Sequence, residues 1–254
     1  MRALLVDDGR YINDTAKQLR NHGHDALLAE SPQEARKILR SQEVVECAFI
    51  DVLFKPNLDD LDRDRQAGRI SVERGLFCDS GLAVLDAIAT YRPSLPTAIW
   101  SESLENRRLH MIHAFQWYKV RNFYSKDAVG AAEAMSLAIT ETINGTPFID
   151  KSLYESGVGQ RHWPDLGKTL FPRSDWAAIW RAIALGATSH EEIREKIRSC
   201  VRKYRRETLG DMALAADSMS AISEYNGNAL AFCIAFAARQ RSFLLDVTIK
   251  KHFP

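Results

Sequence analysis

Five polar positions in the first half of the chain share one placement: each closes a short apolar run. Asp7 and Asp8 close ALLVDD, Asp51 closes CAFID, Ser101 closes TAIWS and Lys126 closes NFYSK. Carboxylates, a hydroxyl and an ammonium together suit phosphoryl chemistry. Three carboxylates brought into one place repel unless a cation joins them. Mg²⁺ is the natural cation, being hard and taking carboxylate, water and phosphate oxygens. Asp51 is then the candidate nucleophile, since carboxylates form acyl phosphates. Ser101 and Lys126 would hold oxygens of the transferring group and offset their charge. Taken singly, each residue is ordinary, because an Asp pair after a strand often caps a helix and a lone Ser or Lys there is usually surface. The ordered set is what points to chemistry.

That set works only if the apolar runs are neighbouring strands of one parallel sheet. The runs Ala3–Val6, His24–Ala29, Val44–Ile50, Thr97–Trp100 and Val120–Tyr124 alternate with helical patterns at Tyr11–Asn21, from Pro32, Gly81–Tyr91, Leu104–Trp117 and Ala128–Ile143. Ser31 and Pro32 read as the cap and first residue of the second helix. Five strands interleaved with five helices predict an α/β, flavodoxin-like (βα)5 unit with helices on both faces. Its sites lie at the carboxyl ends of the strands. Residues 55–78 break the rhythm, with LDDLDRDRQAGRI rich in both charges. They read as a solvated inserted loop, or as a lid or partner-specific element beside the candidate site.

The motifs LLVDD (4–8), CAFID (47–51), LPTAIWS (95–101) and NFYSK (122–126) make residues 1–143 resemble the receiver domain of a bacterial two-component response regulator. The resemblance implies that Asp51 is the phospho-acceptor and that Asp7 and Asp8 belong to the Mg²⁺ site. It adds the backbone carbonyl of Leu53 as a further metal ligand. It also implies a switch in which Phe123 turns inward as Ser101 bonds the phosphoryl oxygen. Three features depart from the family. Asp127 stands where the family has proline. Glu102 stands where it prefers a small residue, and would shield or repel an incoming phosphoryl group. Gly81 lies thirty residues beyond Asp51 rather than under ten.

The second half reads as all-helical, with helices expected at roughly 173–185, 189–206, 210–224 and 228–245. LFPRSDWAAIWRAIALGATSHEEI (170–193) resembles the opening of the LuxR-type helix-turn-helix of the NarL/FixJ class, and INGTPFIDKSLYE (143–155) resembles its linker. The family's recognition-helix pattern is replaced by VRKYRRETLG (201–210). Seven bases against one acid between Arg194 and Arg206 would neutralise phosphates and reach guanine edges. Arg202, Lys203, Arg205 and Arg206 are the candidate nucleic-acid contacts. The segment LAFCIAF (230–236) reads as a buried core helix or a dimer surface.

Composition bounds these readings. At 254 residues the chain suits two domains, and 46% hydrophobic with 26% charged residues excludes a wholly disordered chain. Neither a secretory leader nor a membrane span is expected, and four cysteines without a CxxC pair read as free thiols of a reducing, cytoplasmic setting. Residues 1–150 carry 18 bases and 22 acids, residues 151–254 carry 16 and 11, so an acidic front joins a basic back. The expected organisation is a receiver at 1–144, a linker at 145–168 and a helical output domain at 169–254. The leading reading is a transcription regulator, not an enzyme, phosphorylated by a sensor histidine kinase, binding DNA and forming a homodimer. The alternative is a phospho-signalling adaptor whose helical domain binds a protein partner. A flavodoxin-like enzyme is disfavoured because no Gly-rich phosphate loop follows the first strand.

Overall fold

The computed structural model describes residues 1–9, 11–54, 80–102, 104–129, 132–155, 163–199, 201, 204–219 and 224–254. The inserted segment 55–78 lies wholly outside these, as do Arg202 and Lys203. The described residues fall into two compact units, one from 1–54 with 80–155 and one from 163–254.

The first unit is a parallel sheet of β1 (Arg2–Val6), β2 (Asp25–Ala29), β3 (Cys47–Ile50), β4 (Thr97–Ser101), β5 (Asn122–Ser125) and β6 (Phe148–Ile149). The strand order is β2-β1-β3-β4-β5-β6. Its helices are α1 (Tyr11–Asn21), α2 (Pro32–Arg40), α3 (Gly81–Tyr91), α4 (Arg108–Tyr118), α5 (Ala132–Ile143) and the short α6 (Lys151–Glu155). The five expected strands are present, and a sixth joins them. Phe148 and Ile149, read from sequence within the linker, pair with Asn122 and Phe123 of β5. The Phe148 ring stacks on Tyr124 at 4.6 Å. Two residues carry too little alternation to announce a strand, but the open edge of β5 offers them backbone partners.

Alternation along the strands divides the core. Leu5, Phe49, Trp100 and Tyr124 pack with Ile12, Ala16 and Leu19 of α1 and Met135, Ala138 and Ile139 of α5. Leu4, Ile50 and Ile99, also buried, alternate to the opposite face. There α3 is buried from Gly81 to Leu85 and again at Ala87 and Ile88, as its nearly unbroken apolar sequence requires. The cap of α2 forms as its sequence predicts: the Ser31 hydroxyl accepts from the Glu34 amide at 3.2 Å, with Pro32 next in line.

The second unit is helical, as expected, but its helices are shorter and more numerous. They are α7 (Leu166–Thr169), α8 (Ser174–Ala184), α9 (His190–Ile197), α10 (Glu207–Asp217), α11 (Ala229–Arg239), α12 (Arg241–Leu244) and α13 (Val247–His252). Trp180 is the centre of the core. It is fully buried, lies 5.2 Å from the Phe236 ring and donates its indole N–H to the Leu170 carbonyl at 3.1 Å. Within LAFCIAF, Phe232, Cys233 and Phe236 are buried on one side of α11, the core-helix pattern. The expected helix 189–206 ends instead at Ile197, with Arg198 as its C-cap.

Candidate functional site

Parallel pairing brings the strand ends together. Leu5 lies opposite Phe49, Phe49 opposite Ala98 and Ala98 opposite Asn122. This register carries Asp7, Asp51, Ser101 and Lys126 to one edge. Carboxylate oxygens of Asp7, Asp8 and Asp51 all lie within 4.8 Å of one another. Asp7 is fully buried, Asp51 nearly so, and Asp8 half-buried.

Both oxygens of Asp51 are occupied by donors. Oδ1 accepts from the Ser101 hydroxyl at 2.5 Å and from the Val52 amide at 2.6 Å. Oδ2 accepts from the Lys126 ammonium at 2.5 Å. The same ammonium lies 2.8 Å from Asp7 Oδ2 and 5.3 Å from the centre of the Trp100 ring. Lys126 therefore ties the first, third and fifth strands together. Burial pushes the Asp51 carboxyl above its ordinary value, Asp7 adds to that, and Lys126 and Ser101 oppose it. Burial also works against the charge of Lys126, but Asp51 and Asp7 outweigh it and hold the ammonium above its ordinary pKa.

The donor set fits a hard divalent cation. Three carboxylates face one ammonium, and the cluster is all oxygen, the ligand type that Mg²⁺ takes. Among the described residues this is the single cluster of three or more acidic, His or Cys side chains able to hold a metal. Leu53 lies two residues past Asp51 in an isolated antiparallel bridge with Ser80. Phe123 is fully buried, between Ile99 and Ile149 in the sheet register. Glu102 is exposed next to Ser101.

Two neighbours of the site were not assigned to it from sequence. Gly81 opens α3 directly over Asp51: its amide donates to the Val52 carbonyl at 2.8 Å, and a Cβ there would sit 2.1 Å from the Asp51 carbonyl oxygen. Thirty residues of sequence separation hid this contact, although a glycine at a helix start is its visible signal. Trp100 reads as a core residue, and it is one, but its ring also faces the Lys126 ammonium.

In the helical unit, Arg205 and Arg206 are exposed immediately before α10, while Arg202 and Lys203 lie outside the described residues. Arg206 pairs with Glu191 at 3.4 Å.

Two solved structures of similar fold span most of the chain. A structure of two RcsB dimers bound to two parallel DNAs matches with 15% identity over 94% of this chain and 98% of that chain, at a TM-score of 0.53. A complex of the two-component response regulator RcsB with DNA matches with 12% identity over 94% and 98%, at 0.51. A CheY-like receiver domain protein from Methanospirillum hungatei covers 57% of this chain and 94% of its own, with 18% identity and a TM-score of 0.40. No protein family and no curated protein matches the sequence. The chain thus shares the response-regulator fold, a receiver-type α/β unit followed by a helical unit.

Proposed function

We propose that this chain is a two-component response regulator, phosphorylated on Asp51 by a sensor histidine kinase and controlling transcription through a DNA-binding helical unit. The observation that carries the receiver half is the Lys126 ammonium bridging Asp7 and Asp51 while Ser101 holds the other Asp51 oxygen. Residues 1–144 act as the receiver, 145–168 as the linker and 169–254 as the output domain.

Asp7, Asp8 and Asp51, with the Leu53 carbonyl, would hold Mg²⁺, which when bound supplies positive charge against the phosphoryl oxygens. A carboxylate oxygen of Asp51 attacks phosphorus, and the bond to the donor's histidine nitrogen breaks as the new P–O bond forms. Both Asp51 oxygens already carry donors, so attack moves at least one of them. Ser101 and Lys126 pass from the carboxylate to the phosphoryl oxygens, keeping their charge-stabilising role through the transfer. Phe123, buried beside Ser101's strand, takes the switch position. Glu102 stands exposed next to Ser101 and opposes an arriving anion. The output unit meets DNA through Arg202, Lys203, Arg205 and Arg206, and the active form is a homodimer in the cytoplasm. No described helix is long and apolar enough to cross a membrane.

One observation favours the adaptor reading for the output unit: α10 offers solvent Glu207, Asp211 and Leu214. A protein partner fits that face better than DNA does. The receiver assignment is tested by Asp51→Asn. Acyl-phosphate formation from a small phosphodonor with Mg²⁺ is expected to vanish. Unchanged labelling of the variant would remove Asp51 from the mechanism.

A further inference from the structure

The positive charge of the helical unit does not lie where a groove-reading helix would carry it. In the order α8, α9, α10, the third helix takes the place that enters the major groove in a helix-turn-helix. Here that helix is ETLGDMALAAD, without a single base. Its exposed positions are Glu207, Asp211 and Leu214, followed by Ser218 at the C-cap, all on one stripe. Carboxylates there face phosphates with the wrong sign, and at base edges they serve only the amino groups of cytosine and adenine. The segment between α9 and α10 is also nine residues long, whereas the turn of the motif takes three or four.

A cluster of bases precedes α10 instead. Arg194 and Arg198 stand four apart on the last turn and C-cap of α9, and Arg205 and Arg206 abut α10. All four are exposed. Tyr204 lies against the start of α9: the His190 Nδ1 and the Tyr204 hydroxyl are 2.7 Å apart, with the two rings 6.0 Å apart. Glu191 offsets Arg206 through an exposed pair, and such pairs are weak and screened by salt.

We propose that Arg194 and Arg198 at the end of α9, with Arg205 and Arg206 just before α10, form a clamp on the phosphate backbone of duplex DNA that works without α10 entering the major groove. This rests on the DNA-binding reading and changes its character. Phosphate contacts fix position but carry no sequence information, so the clamp binds duplexes of different sequence alike. These four phosphate contacts contribute about −3.6 to the slope of log affinity on log salt, a factor of roughly 150 between about 50 and 200 mM.

The test uses the full chain and short labelled duplexes of unrelated sequence, titrated by fluorescence anisotropy across a salt series. Affinities within about threefold of one another, with a slope at least that steep, are expected. Arg205→Ala with Arg206→Ala, both at exposed positions, is expected to make the slope shallower by about 1.8. Asp211→Ala with Leu214→Ala in α10 is expected to change neither slope nor ranking. A strong preference for one duplex that the α10 variant abolishes would put that helix in the groove and overturn the clamp, leaving DNA binding intact. Failure to bind any duplex, by protein that still forms the Asp51 acyl phosphate, would remove the DNA reading and the clamp with it.

Discussion

Gly81→Ala sets two physical effects against each other at the candidate site. Gly81 is the first residue of α3, where exchanging Gly for Ala ordinarily stabilises a helix by up to about 1 kcal/mol. The packing gives the opposite sign. The added Cβ would lie 2.1 Å from the Asp51 carbonyl oxygen, 3.1 Å from its carbon and 3.0 Å from Ile50 Cγ2. Ordinary contact begins near 3.4 Å, so backbone has to move by about 1.3 Å. Neither side yields easily. The Gly81 amide is bonded to the Val52 carbonyl, and Ser80 both caps α3 and pairs with Leu53. Overpacking of this kind costs about 1–3 kcal/mol, and backbone against backbone belongs at the upper end. Net of helix propensity, a loss of about 2 kcal/mol remains, or roughly 4–8 °C in the melting of the Asp51-containing unit. Displacement of the nucleophile by about 1 Å is also expected to slow acyl-phosphate formation on the order of a hundredfold. Scanning calorimetry and labelling by a small phosphodonor read the two effects separately. A variant that melts higher than the parent and labels at the parental rate would show that α3 does not bear on Asp51.

Three further outcomes follow from the same geometry. Lys126→Met leaves Asp7 and Asp51 buried without their ammonium, a loss of about 3–5 kcal/mol in the presence of a chelator. Saturating Mg²⁺ is expected to restore part of it in denaturant titrations, and a loss indifferent to Mg²⁺ would refute the shared carboxylate cluster. Asp51→Asn, besides ending labelling, is expected to stabilise the metal-free fold at neutral pH. The folded pKa of Asp51 is raised, so its contribution to stability is present below the unfolded value of about 3.9 and is lost as pH rises through the folded value. The advantage of the variant should therefore appear on going from acid to neutral pH, and a less stable variant at pH 7 would contradict the burial argument. Glu102→Ala is expected to speed labelling about fivefold at low salt, since an exposed charge a few ångströms from an incoming anion is worth about 1 kcal/mol. The gain should shrink at high salt, and no gain at low salt would end the shielding role.

The receiver unit was legible because its chemistry sits at strand ends, and strand ends are the easiest features to find. An apolar run such as ALLV or CAFI marks a buried strand, and the polar residue that stops it is placed by the sheet itself. Parallel order then brings Asp7, Asp51, Ser101 and Lys126 to one edge without any further information. What escaped was contact between residues whose types announce nothing. Gly81 and Asp51 meet because α3 returns to the base of β3, where Leu53 and Ser80 pair, however long the intervening segment is. Strand β6 escaped for a different reason. Its two residues are strand only because Asn122 and Phe123 are beside them, and that is tertiary context rather than local pattern.

The helical unit was harder because its apolar spacing outlasts its helix. Ile193, Ile197, Val201 and Tyr204 continue a helical period, so sequence alone extends α9 through Arg206 and makes one long basic helix. The structure stops α9 at Ile197, with Arg198 as its C-cap. Val201 and Tyr204 are only half-buried, and Tyr204 turns back onto His190 instead of packing on a further turn. The stretch Ser-Cys-Val after Arg198 is of low helix propensity, so this turned-back contact meets little resistance from the local backbone. The consequence reaches function. A basic helix would offer side chains to base edges, whereas exposed arginines ahead of an acidic helix suit the phosphate contacts of the proposed clamp. In the proposed clamp Arg205 and Arg206, joined by Arg194 and Arg198, would hold the backbone rather than choose sequence, because α9 ends one turn after Ile193.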